Sequence, residues 1–331
     1  MAVSMPNSEI IKLVARLYYI DDLSQSEIAR MVSVSQAKVC RLLRLAREQG
    51  IVQISVADEY AAQDAELEAA LCATLSLRHA VVIRNLPSVR GEGLSRHVGY
   101  FGAAALAKMI QPNQVVGLTG SRTLTELVRH LGSFCNPTGL RVVQLMGSIG
   151  ANINEHDAIE LSRKLASTFG GALYSLNSPI FVANPQVCRD FMEMEQVKTI
   201  WKLYRELDVA LIGIGHLKSS VLIDRGVLGE QDLARLLELG AIGETCGRFF
   251  DANGQECDSD YRDRVISIPL EELRHVPLVV GATVGAERAD AVVAAAQSGL
   301  IKALIIDEDG ARAALEFAAR HPSGKDAAQV S

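Results

Sequence analysis

Cysteine pairs at metal-binding spacing, long apolar runs and a basic leader segment are all missing from this 331-residue sequence. The six cysteines are scattered, and none has the C-x-x-C spacing that is typical of zinc sites. A chain of this size without a secretion signal is not expected to build a disulfide framework. The longest apolar stretches are interrupted by proline and glycine and are too short to cross a bilayer. We therefore expect a cytoplasmic protein with no membrane partner, no bound metal and no cofactor.

The charged residues are distributed unevenly along the chain. The net charge of −6 argues against a protein that coats nucleic acid along its whole length. Residues 1–56 nevertheless carry seven basic and five acidic side chains, whereas the remainder carries 26 basic and 34 acidic ones. A small, mildly basic head on a large acidic body is the pattern expected for local DNA binding.

The length predicts two domains rather than one. We assign residues 1–56 to a DNA-binding head and residues 57–320 to a larger sensing domain, and we expect the polar tail over 321–331 to be disordered. A helical stretch over 58–76 is interpreted as either a linker or an oligomerisation helix.

The head has the pattern of three short helices. Apolar residues recur at helical spacing over 8–19. Ser24 is placed as the N-cap of a second helix, with Glu27 as its capping-box partner. Ser35 is placed as the N-cap of a third helix over 36–49. This arrangement predicts a helix-turn-helix.

The connections around the third helix complete a winged-helix-like pattern. Ala29 is small where two helices must approach closely, and Val34 is apolar in the turn. Ser33 occupies the turn position that is most often glycine, which is a departure from the motif. Residues 51–56 alternate apolar and polar side chains, and they are predicted to form a short strand that makes either a wing or a link.

The outer face of the third helix is basic and contains no acidic residue between Ser35 and Arg47. In helix-turn-helix proteins the first residues of this helix reach base edges, and flanking basic residues contact phosphates. An amphipathic hairpin with a merely solvated basic face would show the same pattern, but we favour DNA binding. The predicted DNA contacts are Ser35, Gln36, Ala37, Lys38, Arg41 and Arg44.

Within this set we assign separate roles. Gln36, Ala37 and Lys38 are placed at the edges of bases in the major groove. Arg41 is expected either to read a guanine or to hold a phosphate, and Arg44 is expected to hold a phosphate.

Beyond the head, short β-branched runs alternate with helical stretches. Several of these runs are continuously apolar, as expected for strands that are covered on both faces. The alternation predicts an α/β fold with a doubly wound, mostly parallel sheet. The predicted strands are 80–83, 115–118, 141–145, 209–214, 265–268, 278–280 and 303–306.

The strongest ligand signal is the loop Gly-Leu-Thr-Gly-Ser-Arg-Thr over 117–123, between a strand and a helix. Loop amides and a helix N-terminus suit an anion, hydroxyls add donors, and an arginine adds positive charge. A strand-to-helix turn with glycine for tight packing is the alternative. The predicted ligand residues of this loop are Gly117, Thr119, Gly120, Ser121, Arg122 and Thr123.

A second glycine-rich loop follows the strand at 141–145, where ligands of open α/β sheets bind. Gln144 and Gly147 are predicted ligand contacts there, although a plain loop fits equally well. The nearby run Glu155-His156-Asp157 resembles a metal cluster, but consecutive side chains rarely point at one ion, so no metal site is assigned.

Ten short segments follow one another in a fixed order along the chain, namely 23–29, 34–35, 39–43, 116–124, 143–147, 178–179, 212–215, 247–251, 277–281 and 298–301. Together they resemble the SorC-type sugar-binding transcriptional regulators. The resemblance covers about residues 8–320, and it implies a helix-turn-helix head and an effector domain similar to sugar-phosphate isomerases. It also implies a homo-oligomer, dimer or tetramer, whose operator affinity is changed by a phosphorylated sugar or polyol.

The resemblance adds two ligand residues. Asp251 matches a family residue that accepts hydrogen bonds from sugar hydroxyls, although an Asp-x-Asn-Gly turn is the alternative for this position. Arg288 stands where many members have lysine, which keeps the charge but changes the donor geometry.

Three functions are compatible with the sequence. We favour a DNA-binding transcriptional regulator with operator DNA and a small carbohydrate or phosphosugar effector as partners. The alternative is an enzyme similar to sugar-phosphate isomerases or deaminases, since fold alone does not decide activity. An architectural DNA binder without a ligand fits poorly, because the second domain is far larger than dimerisation requires.

Overall fold

The computed structural model describes three stretches of the chain, residues 7–52, 62–217 and 220–321. Contacts within the chain divide it into two units, Met1–Tyr60 and Ala61–Ser331. Each unit has an apolar core of its own. None of the helices in the described stretches is both long and apolar enough to span a bilayer.

The N-terminal unit contains the helices α1 (Asn7–Tyr19), α2 (Gln25–Met31) and α3 (Gln36–Glu48). Their apolar faces meet in one core, because buried side chains recur at helical spacing on each helix. Val14 and Ile28 are fully buried there. The predicted helix-turn-helix is confirmed.

The starts of α2 and α3 are set by local hydrogen bonds. Ser24 Oγ accepts from the Glu27 backbone N–H, and the Glu27 carboxylate accepts from the Ser24 N–H, which completes the predicted capping box. Ser35 Oγ accepts from the Lys38 N–H at 3.2 Å. Between the two helices, Ser33 has a φ of 54°, a left-handed conformation that glycine adopts at least cost. This left-handed conformation explains why glycine is usual at this turn position of the motif, where the present chain has Ser33.

Two expectations fall on parts of the chain that are not described. The strand predicted over 51–56, and with it the domain boundary at residue 56, lies outside the described residues beyond Val52. The tail predicted over 321–331 lies outside them beyond His321.

The larger unit is built on a seven-stranded, fully parallel sheet and a small antiparallel one. The large sheet has the order β1-β10-β9-β5-β2-β3-β4, and the small one has the order β6-β7-β8. The strands are β1 (His79–Ile83), β2 (Val115–Leu118), β3 (Arg141–Gln144), β4 (Ala172–Tyr174), β5 (Val209–Gly213), β6 (Gly215–His216), β7 (Gly243–Thr245), β8 (Arg248–Phe250), β9 (Leu278–Ala282) and β10 (Ala303–Asp307).

Helices cover both faces of the large sheet. Alternate residues of one strand point into different cores: Val82 belongs to one apolar cluster, whereas Val81 and Ile83 belong to another. The predicted doubly wound α/β fold is confirmed. The helices of this unit are α4 (Ala65–Leu75), α5 (Glu92–Ala107), α6 (Arg122–Leu131), α7 (Ala158–Thr168), α8 (Pro185–Met192), α9 (Glu195–Tyr204), α10 (Val221–Asp224), α11 (Glu230–Glu238), α12 (Leu270–His275), α13 (Ala289–Gln297) and α14 (Glu308–Arg320).

Six of the seven predicted strands are present, and the prediction of a strand over 265–268 is wrong. That segment is buried but pairs only through isolated bridges, such as the one between Ser267 and Met146. A continuously apolar run marks burial, and an extended buried segment carries the same signal as a strand. The strands β4, β6, β7 and β8 were not predicted, because runs of two or three residues show no period.

Candidate functional site

The order of the strands along the chain reverses between β2 and β5. From β2 the chain continues through β3 and β4 to one edge, whereas from β5 it continues through β9 and β10 toward the other. In open parallel sheets a crevice forms outside the carboxyl ends of the strands at such a reversal. A cavity of about 480 Å³ lies there, which is within the range of small-molecule sites.

The cavity contains six of the ten ligand residues predicted from the sequence. Five of them follow β2 directly, and the sixth lies after β9. They are Thr119, Gly120, Ser121, Arg122, Thr123 and Arg288.

The loop after β2 forms a cradle of backbone donors. Ser121 is the N-cap of α6, and its Oγ accepts from the Leu124 N–H at 3.4 Å. Within the described residues, the amide N–H groups of residues 120–123 have no acceptor, as expected for the first turn of a helix. Gly120 is required for packing, because a Cβ there would lie 2.7 Å from the His156 carbonyl oxygen. Such a cradle suits an anionic group.

Two arginines supply positive charge at the cavity wall. Arg122 Nη2 lies 3.4 Å from Asp224 Oδ2 on α10, and both side chains are about half exposed. Arg288 Nη1 donates to the Val284 carbonyl at 2.6 Å and pairs with Glu287. Each of the two guanidinium groups therefore lies at the cavity beside an acidic side chain, Asp224 or Glu287, which a bound anion would also approach.

The sequence reasoning missed Glu244, which is the buried carboxyl group of the cavity. It lies on β7 and accepts a hydrogen bond from Ser220 Oγ at 2.5 Å. Burial raises the pKa of this carboxyl to about 7, and this rise outweighs the lowering effects of the Ser220 hydrogen bond and the Arg288 charge. At neutral pH the group can therefore donate or accept a hydrogen bond, as sugar hydroxyls require.

A signal for Glu244 was present in the sequence. The neighbours Gly243 and Thr245 are small and the two phenylalanines of β8 follow shortly after, so this glutamate lies in a segment rich in core-forming residues. A Cβ at Gly215 would lie 2.8 Å from Glu244 Cγ, which shows why glycine faces it across the small sheet.

Gln144 and Asp251 do not line the cavity, which corrects their predicted placement. Both polar atoms of the Gln144 amide have backbone partners, because Nε2 donates to the Met146 carbonyl and Oε1 accepts from the Leu176 N–H. Asp251 Oδ1 accepts from the backbone N–H groups of Asn253 and Gln255. The structure therefore contains the Asp-x-Asn-Gly turn that was the alternative for Asp251.

Gly117 and Gly147 are also placed outside the cavity lining. A Cβ at Gly117 would lie 2.5 Å from Leu145 Cδ2. A Cβ at Gly147 would lie 2.3 Å from the Pro179 carbonyl oxygen. Both glycines therefore allow close packing. Close packing was the alternative for the loop over 117–123, whereas a plain loop was the alternative for the loop that contains Gly147.

The residues of the suspected metal cluster have other partners. Glu155 pairs with Arg129 at 2.8 Å, and His156 Nδ1 lies 2.9 Å from Thr125 Oγ1. Among the residues that the structure describes, no group of three potential ligands converges on a metal site.

The predicted DNA-contact residues are all exposed, on α3 or at its N-cap. Arg44 also lies near Glu48, with 3.6 Å between the nitrogen and the carboxylate oxygen. Cys40 is exposed on the same helix, and it was not among the predicted DNA contacts. The exposed set is Ser35, Gln36, Ala37, Lys38, Arg41 and Arg44.

Comparison with known proteins identifies the family. The family described as "Putative sugar-binding domain" matches residues 60–316. The chain is 30% identical over 301 residues to a deoxyribonucleoside regulator of Bacillus subtilis (strain 168), covering 90% of this chain and 95% of the relative. It is 27% identical over 320 residues to the sorbitol operon regulator of Klebsiella pneumoniae, covering 94% of this chain and all of the relative.

The fold agrees with this relationship over most of the chain. The crystal structure of the full-length sorbitol operon regulator SorC from Klebsiella pneumoniae matches with a TM-score of 0.73 and 25% identity, covering 94% of this chain and all of the SorC chain. The matched part of this chain therefore includes most of both units. The chain belongs to the SorC family of sugar-binding transcriptional regulators.

Proposed function

We propose that this protein regulates transcription by binding an operator through α3, and that a small carbohydrate metabolite bound in the cavity controls its operator affinity. The observation that carries the proposal is a cavity that joins an anion cradle after β2 to the buried carboxyl of Glu244. The same chain has a helix-turn-helix head with an exposed basic helix. Such a combination suits a one-component switch.

The proposed effector is a phosphorylated sugar or polyol. Its phosphate would lie at the amides of residues 120–123 with Arg122 beside it. Its hydroxyl groups would reach Glu244 and the part of the wall near Arg288. The cavity volume of about 480 Å³ accommodates a phosphorylated pentose or hexitol.

On the DNA, the proposal assigns base contacts to Gln36, Ala37 and Lys38 and phosphate contacts to Arg41 and Arg44. Each neutralised phosphate would release counterions, so operator binding would weaken with added salt. We further propose a homo-oligomer whose paired heads read a roughly palindromic operator, because protein symmetry is mirrored in such sites.

A thermal-shift panel tests the effector. At equal concentrations we expect a pentose or hexitol phosphate to stabilise the protein more than the corresponding free sugar does. A ligand at a hundred times its own dissociation constant adds about 2.7 kcal/mol of stability. Arg122→Ala should reduce the shift, since it removes the charge beside the phosphate. Arg262→Ala is the matched control, because this half-exposed arginine lies outside the cavity lining. Equal shifts for wild type and Arg122→Ala would remove Arg122 from the site.

A second candidate function is supported by one observation. A buried carboxyl with a pKa of about 7, such as that of Glu244, is also what a general acid or base of a sugar-phosphate isomerase would need. We propose that the protein is not an enzyme, because its relatives are named as regulators. Product formation from ribose or glucosamine phosphates, lost in Glu244→Gln, would contradict this proposal.

A further inference from the structure

One ion pair joins two walls of the cavity that are distant in sequence. Arg122 begins α6 and Asp224 ends α10, and the two residues are 102 positions apart. The nitrogen-to-oxygen distance is 3.4 Å, and each side chain is 55% exposed. Both residues line the cavity. A bound effector would therefore meet this pair.

The Arg122–Asp224 ion pair can be replaced by other contacts, whereas the adjacent Arg225–Asp157 ion pair is buried and fixed. Exposed ion pairs contribute little to stability, and a long single contact of this kind is readily replaced. The next residue along the chain, Arg225, pairs with Asp157 in a contact in which the side chains are only 15% and 5% exposed. Arg225 also donates to the Asn152 carbonyl. The end of α10 is thus held independently of Asp224.

Arg122 stands where an anion would bind. The cradle amides adjoin it, and Thr123 is buried to 4% exposure at the cavity wall. An anionic group placed there would attract Arg122, but it would also face the carboxylate of Asp224.

We propose that Asp224 is a specificity-determining residue that competes with an anionic effector for Arg122. This inference rests on the proposed function and adds the control of affinity at the same site. In the effector-free protein, Asp224 neutralises the guanidinium of Arg122. A phosphorylated effector must displace this carboxylate, so a higher effector concentration is needed. A neutral sugar does not compete for the charge and is affected less.

The test uses the full-length protein and inorganic phosphate as the probe, titrated by calorimetry at low salt. We expect Asp224→Asn to bind phosphate about threefold to tenfold more tightly than wild type, because one like charge and one competitor are removed. In an Arg122→Gln background the same substitution should gain less than about twofold, since the contested cation is gone.

Asp258→Asn is the matched control. It removes one carboxylate from an exposed arginine pair of 3.5 Å, with the same change in net charge, outside the cavity lining. We expect it to leave phosphate affinity unchanged. Equal tightening by Asp258→Asn, no tightening by Asp224→Asn, or no phosphate binding by either wild type or Asp224→Asn would each overturn the proposal.

Operator binding by the same samples separates this inference from the proposed function. If Asp224→Asn tightens phosphate binding but no variant binds operator DNA, the proposed function fails and the competition stands. If a phosphorylated sugar changes operator affinity in wild type and Asp224→Asn alike at the same concentration, the competition fails and the regulatory function stands.

Discussion

Among the carboxyl groups that line the cavity, Glu244 has the environment that differs most from that of an exposed carboxyl. Folding removes it from water, and burial outweighs the hydrogen bond from Ser220, so the pKa rises from 4.5 to about 7. The protonated form is therefore favoured in the folded protein. Ionising this buried carboxyl at higher pH therefore destabilises the folded state, whereas the same carboxyl ionises without this cost in the unfolded chain.

Glu244→Gln should remove a pH dependence of stability. Below the ordinary pKa of 4.5 both states are protonated, and the contribution of Glu244 is fully present. It is lost as pH rises through about 7, because the unfolded state has already released its proton. We expect the variant to match wild type near pH 4.5 and to exceed it at pH 8 by up to about 3 kcal/mol in urea unfolding.

Glu316→Gln is the control for that comparison, because the Glu316 side chain is 71% exposed. Its unfolding free energy should follow that of wild type at every pH. If the curves of wild type and Glu244→Gln run parallel from pH 4.5 to pH 8, the account of Glu244 is wrong.

At the scale of elements, α3 carries the proposed DNA surface and α6 carries the proposed effector cradle. Both helices begin at a serine whose Oγ accepts from a backbone N–H three residues later. Signals of this kind are local, so the start of α3 and the anion loop after β2 could be predicted from the sequence.

Other parts of the site depend on long-range packing and could not be predicted in the same way. Asp224 reaches Arg122 only because α10 lies beside the start of α6. Gln144 is the last residue of β3, at the edge of the sheet where ligands commonly bind, yet its amide is hydrogen-bonded to nearby backbone groups. A sequence pattern places a residue at the end of a strand but does not decide which neighbours satisfy it.

Substitutions on α3 should change the salt dependence of operator binding. We expect Arg44→Ala to reduce the slope of log affinity against log salt concentration by about one, because one phosphate contact is lost. Lys198→Ala, which removes a cation from the larger unit, should leave the slope unchanged. An unchanged slope in Arg44→Ala, measured by fluorescence anisotropy between low and moderate salt, would exclude Arg44 as a phosphate contact.

At the scale of the whole molecule, the two units differ in both charge and fold. The first 56 residues have a small basic excess, whereas the remainder is acidic. This distribution of charge supports the proposal that the head binds DNA and that the acidic body binds the metabolite. Regulation then requires that effector and operator binding be coupled, and the coupling free energy must be the same in both directions.

The most direct test is the operator affinity of the full-length protein with and without the compound that stabilises it most in the thermal-shift panel. We predict that a saturating concentration changes the dissociation constant for the DNA upstream of its own gene by about fivefold to 150-fold. Glu244→Gln and Arg122→Ala should need more of the compound for the same change. A compound that binds the cavity and stabilises the protein, yet leaves operator affinity unaltered, would contradict the account.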